Sequence, residues 1–303
     1  MNHKISKAFQ SLYSAWKAHR HSVKKASYTI IFFAIIFFLI DQGKEPWTIA
    51  FENWLTFMSL TATTTIGLVV QAKSFSAISI KKAPPLLELI RIWSLSSIIS
   101  VIAPFFAGIT TRTALLIEEG MTFKACLSTS VRQAWLGMEY ALLAGAVTLP
   151  FLNFSHNKKL AFAFFLAWAS FRVARKAIYF DRLKSMFKTP IRRRDESWFA
   201  LQILTMSLTF FIGFNSIGAK IPFEMAIAIS SITVLASLIA FVPNGLGITD
   251  TIWILIATQY GMDLTQSVSL SILLRASHLT GSAFALLASK LFQWFFTHCK
   301  NTR

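Results

Sequence analysis

The chain has 303 residues, 54% of them apolar, and a formal charge of +17. Long uncharged stretches and the absence of a long polar tract exclude a separate soluble domain and point to a multispanning all-α membrane protein. The basic excess, which in a soluble chain would suggest nucleic acid, is clustered beside apolar segments and therefore reads as a topology signal instead.

Six Lys and Arg precede residue 26, and among them Ile5, Phe9, Leu12 and Trp16 recur at helical spacing. Residues 1–25 are accordingly expected to form a cytoplasmic amphipathic segment lying along the anionic membrane surface. The apolar run that follows lacks a small-residue cleavage site, so residues 26–43 are expected to stay as a signal anchor. Further crossings are predicted near 48–70, 123–149, 158–178, 198–218 and 264–289. Nine more basic residues between positions 172 and 194 mark a cytoplasmic loop, and residues 291–303 are expected to be a cytoplasmic tail. The two cysteines, Cys126 and Cys299, suggest neither a disulfide framework nor a metal site.

Two apolar regions, 86–119 and 223–260, are interrupted by Pro and Gly. The basic clusters fix the parity of the crossings, so each region enters and returns, from opposite faces. Pro104, Gly108, Gly120 and Arg132 in the first half match Pro243, Gly247, Gly261 and Arg275 in the second. The expectation is a single domain over 26–290, with inverted repeats at 48–149 and 198–289 and two re-entrant hairpins between about six full spans. The alternative is about eight ordinary spans joined by Pro- and Gly-containing loops.

Ionisable residues at membrane depth are costly unless paired or hydrated, which makes Arg112, Arg132, Asp250, Arg275 and His278 the candidate binding residues. Each has a bland reading beside the functional one: an interfacial side chain that snorkels, or a packed neutral His. Glu118 and Glu119 read as an interfacial turn capped by Gly120, and Glu139 completes the set. Catalytic and metal-binding signatures are absent from the sequence, so binding and movement are expected rather than bond breaking, with no cofactor and no metal.

Two motifs carry a resemblance: "PFFAGITTR", with Pro104, Gly108 and Arg112, and "PNGLGITD", with Pro243, Asn244, Gly245, Gly247 and Asp250. Over roughly residues 48–290 the chain resembles the lysylphosphatidylglycerol synthase transmembrane region family, the flippase-like membrane proteins. Ile109, Asn244 and Asp250 stand where that family has an acidic residue, Gly and Glu. The aminoacyl-transferring domain of the namesake enzymes is absent from this sequence. The resemblance implies a flippase for an anionic or glycosylated lipid, a phospholipid or a polyprenyl-linked glycolipid, in the plasma or inner membrane with a cytoplasmic N-terminus. Arg112 would hold the head group, with Asp250 orienting it across the cavity. Two other readings remain open: a membrane enzyme acting on lipid head groups with Asp250 or His278 as base, and a non-catalytic partner of an envelope glycosyltransferase.

Overall fold

The computed structural model describes residues 54–79, 83–102, 107–151, 157–177, 192–239 and 248–301. The chain divides into two compact units, Met1–Lys44 and Glu45–Arg303, and all described residues lie in the second. The amphipathic segment, the signal anchor, most of the basic loop and the motif residues Pro104, Pro243, Asn244, Gly245 and Gly247 fall outside the described residues.

Among the described residues the structure is all helical, with nine α-helices and no strand. In order they are α1 (Trp54–Ile78), α2 (Leu86–Ile102), α3 (Ala107–Glu118), α4 (Phe123–Thr148), α5 (Asn157–Ala177), α6 (Arg193–Ser216), α7 (Phe223–Ile239), α8 (Ile248–Gln259) and α9 (Leu264–Asn301). Among the described residues four stretches are long and apolar enough to cross a membrane: α1, α4 with the short 3-10 turn after it, α6 and α9 as far as Phe295. The helix α5 has 21 residues, but Lys158, Lys159, Arg172, Arg175 and Lys176 at its two ends keep it out of that set. Helix α9 continues through residues 291–301 and has 38 residues in all. That is roughly 57 Å at 1.5 Å per residue.

Helices α6, α7 and α8 match α1, α2 and α3 nearly in length, whereas the helices that follow differ, 26 residues in α4 against 38 in α9. The first pair has 25 and 24 residues, the second 17 and 17, the third 12 and 12. The turns after the 12-residue helices are alike in detail. Gly120 and Gly261 take positive φ, 89° and 83°. Met121 N donates to Leu116 O at 3.0 Å and Met262 N to Ala257 O at 3.2 Å, the six-to-one bond of a Schellman cap. The next helix in each half is then capped by a side chain: Thr122 Oγ1 accepts from Ala125 N, and Asp263 Oδ1 accepts from Gln266 N.

Packing between the two series is reciprocal. The long helices α1 and α6 run antiparallel and cross near their middles, where Thr63 Oγ1 meets Thr209 Oγ1 at 3.1 Å and Gly67 faces Thr205. The last helix of each series packs on the 17-residue helix of the other, α9 on α2 and α4 on α7. Antiparallel α2 and α9 are tied at two levels, by Ser97 with His278 and by Gln293 donating to Glu88 at 2.6 Å. Small residues allow the close approaches, as is usual where lipid leaves no hydrophobic drive between helices. A Cβ on Gly281 would lie 2.9 Å from Thr61 O of α1, and one on Gly145 would meet the Phe164 ring of α5 and Ser231 of α7.

Gly108 is the tightest of these positions, since an added Cβ would stand 1.7 Å from Ser100 Oγ and 2.6 Å from the Ser96 carbonyl of α2. The serine side chain can swing away, but the carbonyl belongs to the helix backbone. Gly108→Ala is therefore expected to push α3 off α2 and destabilise the protein by about 2 kcal/mol. Gly137→Ala, where a Cβ meets nothing within 4 Å, is expected to be stabilising by about 0.5 kcal/mol through its helix propensity. Thermal unfolding of the two variants in detergent measures the difference directly.

Candidate functional site

Between the two series lies a cavity of about 450 Å³. Its walls are made by Thr63 to Gln71 of α1, Ser130 to Gly137 of α4 and Gln202 to Phe210 of α6, which are the middle turns of those three helices. The short helices close it, with Ile109, Arg112 and Thr113 from α3 and Thr249 and Trp253 from α8, while α9 adds Leu274, Arg275 and His278.

Hydroxyls and carboxamides on the facing sides of the spans interrupt an otherwise largely apolar wall. Gln133 bridges α4 to α1, donating to Gln71 O at 3.1 Å and Ser74 Oγ at 3.0 Å. Trp253 Nε1 donates to Thr233 Oγ1 at 3.1 Å, which orients the indole against Phe210. Gln202 has its Oε1 buried without a hydrogen-bond partner among the described residues.

Arg112 enters from α3 and lies flat on Trp93, its Cζ 4.4 Å from the ring centroid. Its Nε donates to Ser96 Oγ at 3.2 Å, and that hydroxyl spends its own proton on Trp93 O. No carboxylate among the described residues pairs with Arg112, and its two Nη groups make no hydrogen bond there. A cation held by an aromatic face and one hydroxyl presents its amino groups to the cavity with no carboxylate partner among the described residues.

The second arginine is different. Arg275 Nε reaches Asp250 Oδ1 at 2.7 Å and its Nη2 reaches Oδ2 at 2.5 Å, a two-point carboxylate pair between α8 and α9. Ser271 Oγ also donates to Oδ1. Asp250 is thereby occupied by Arg275, so it does not orient Arg112 across the cavity as the sequence suggested. The reason lies in the pitch of α9, which puts Ser271 and Arg275 one turn apart on the face toward α8. His278, a further turn along, lines the cavity with its Nε2 2.6 Å from Ser97 Oγ of α2.

Arg112, Arg275 and His278 thus come together in one wall, with Asp250 behind Arg275. Arg132 does not join them; it is 2% exposed, inside α4 and away from the cavity. It was matched to Arg275 by sequence, yet it lies nine residues after the start of α4 while Arg275 lies eleven after the start of α9. Two residues turn a helix by about 200°. The residue eleven after the start of α4 is Ala134, which does line the cavity. Glu139 is 1% exposed and pairs with Arg172 of α5, which also lies 3.8 Å from Glu196 of α6. Arg172, read as a topology charge, is therefore part of a partly exposed ion cluster in which Glu139 is the buried member. Glu119 pairs with Arg91 across the α2–α3 hairpin, so the expected turn beside Gly120 has an ionic tie as well.

Sequence reasoning passed over Gln71, Gln133, Gln202, Thr63, Thr205 and Thr209, having searched for charge. The available signal was a neutral polar group in the middle of a long span, which needs a partner or a polar cavity for the same reason a charge does. No family model, curated protein or solved structure matches the chain.

Proposed function

We propose that this chain is a multispanning protein of the plasma or inner membrane that moves a lipid across the bilayer by admitting its anionic head group to the cavity. The observation that carries this reading is Arg112, a cation without a carboxylate partner among the described residues, opening onto a largely apolar cavity dotted with hydroxyls and carboxamides halfway along three long helices. The guanidinium matches a phosphate with two parallel N–H donors, and the acyl chains would remain in the surrounding bilayer.

Alternation between the two faces is the natural use of inverted repeats. That arrangement is proposed here on the paired helix lengths, the equal Gly120 and Gly261 caps, and the antiparallel crossing of α1 with α6. In it α2–α3 and α7–α8 are hairpins entering from opposite faces, with the N-terminus and C-terminus cytoplasmic. The layout is the one implied by the resemblance to flippase-like membrane proteins.

The test is reconstitution of the full chain into liposomes carrying a trace of fluorescent anionic phospholipid, with transbilayer movement followed by chemical quenching of the outer leaflet. The expected result is movement above that of protein-free liposomes, faster for the anionic lipid than for phosphatidylcholine. Equal rates with and without protein, across lipids, would reject the proposal.

A further inference from the structure

The cavity closes off along α6 in successive turns. Gln202 lines it, Phe199 lies one turn nearer the start of the helix, and Glu196 one turn beyond that. Phe199 is buried with Ile78 at the end of α1 and Leu136 of α4, and Tyr140 stacks on its ring with centroids 6.2 Å apart. Leu136 adjoins Gly137, which still lines the cavity. These three buried side chains form a seam between two bodies, because each series of helices has an apolar core of its own. Among the described residues one core has 14 buried members, all but Ala285 from the chain before α5. The other has 18, all but Leu60, Leu149 and Ala161 from α6 onward. Parting the bodies at this end therefore disrupts the seam and leaves most of both cores together.

Beyond the seam the two bodies are tied by charge. Helix α5 rides on α4, with Phe171 against Trp135 at 4.8 Å between ring centroids, and it carries Arg172 to Glu139 of α4 and to within 3.8 Å of Glu196 on α6. Tyr140 Oη reaches Glu196 Oε2 at 3.4 Å, and Lys73 Nζ of α1 stands 6.0 Å over the Trp198 ring. The other ion pairs among the described residues, Arg91 with Glu88 and Glu119 and Arg275 with Asp250, each stay within one series. The two contacts of Arg172 differ in kind. Glu139 is fully buried and keeps its cation wherever α6 stands, whereas the contact with Glu196 is long and is made by a guanidinium in partial contact with solvent. Such an ion pair is weak enough to break and re-form.

We infer that this end of the cavity is a gate, shut in this structure, which opens toward the face at which α6 begins. Opening parts Phe199 from Ile78 and Leu136 and releases Glu196, while Arg172 stays on Glu139. The crossing of Thr63 with Thr209 supplies the pivot, and the seam lies roughly 15 Å from it along α6 at 1.5 Å per residue. A small tilt at the crossing is thus enlarged at the seam. The inference rests on reading the cavity as the passage for a head group and adds the control of one of its mouths.

The experiment reads water access with one thiol at a time, in the full chain held in lipid nanodiscs. One protein keeps Cys126 alone, with Cys299→Ala; the other carries Gly137→Cys with both native cysteines changed to Ala, at a position where an added Cβ meets nothing within 4 Å. Cys126 is buried in the core of the first series, away from the cavity, and so reports general loosening. Glu196→Gln, which leaves Arg172 on Glu139, is expected to raise the rate at which a charged thiol reagent labels position 137 about fivefold, with Cys126 unchanged. Phe199→Leu, which shortens the plug, is expected to raise it about threefold, and a folding defect in either variant leaves the other to decide. Unchanged labelling at position 137 in both would overturn the gate, and so would an equal rise at Cys126. Lipid movement is the second arm. With Ile78→Cys and Phe199→Cys joined by a short cleavable thiol crosslinker, movement in proteoliposomes is expected to fall about tenfold or more and to return on reduction. Undiminished movement by the crosslinked protein, still dependent on Arg112, would overturn the gate and leave the lipid reading standing. Faster labelling of position 137 with no lipid movement by any protein would support the gate and remove the lipid reading.

Discussion

Arg112→Gln is expected to lower lipid movement about a hundredfold, while the thermal stability of the protein in detergent stays within about 1 kcal/mol of wild type. The two halves of that expectation come from the same geometry. The guanidinium gives up one hydrogen bond to Ser96 and its contact with Trp93, and no ion pair, so little that holds the fold is lost. The phosphate would lose a charge-assisted, two-point donor in a site of low dielectric, which carries far more free energy than the same contact in water. Arg112→Lys is expected to fall between, about tenfold slow, because an ammonium keeps the charge but neither the fork nor the stacking on indole. Wild-type rates for Arg112→Gln would make Arg112 a residue that merely reaches for the interface, and the head-group site would have to be sought at Arg275. Loss of the folded protein would mean that Arg112 is structural.

Asp250→Asn is expected to be the most destabilising of the single changes considered, by about 3 kcal/mol. Its carboxylate answers both ends of the Arg275 guanidinium and the Ser271 hydroxyl, at the junction of α8 and α9. Removing one partner of a buried pair leaves the other charged and unmatched, which costs more than the pair contributes. The double variant Asp250→Asn with Arg275→Met removes both charges and is expected to recover at least half of the loss, a coupling that thermal unfolding of the four proteins in a double-mutant cycle would report. If Asp250→Asn is instead neutral in stability and slows lipid movement alone, the carboxylate serves the head-group site and not the helix junction. An equal loss in the single and double variants would mean that the pair contributes no coupling.

The sequence by itself determined the all-helical character, because long apolar stretches with satisfied backbone have few alternatives in lipid. The cap expected at Gly120 is present, with φ of 89°, and Gly261, matched to it in sequence, takes the same left-handed conformation. Arg112, Arg275 and His278 stand out in the sequence because charge is scarce in apolar segments, and all three line the same cavity. Their partners were not legible. Whether Asp250 answers Arg112 or Arg275 depends on which face of α9 turns toward α8, and both pairings fit the same sequence. Arg132 and Arg275 look equivalent in a motif and are two residues out of register in helices, so one opens to the cavity and the other is enclosed. The polar lining was decided only by tertiary packing, because the middles of α1, α4 and α6 become one surface when the helices cross. A threonine in a span is unremarked in sequence; only the crossing of the helices gathers these hydroxyls and carboxamides, with Arg112, around one cavity.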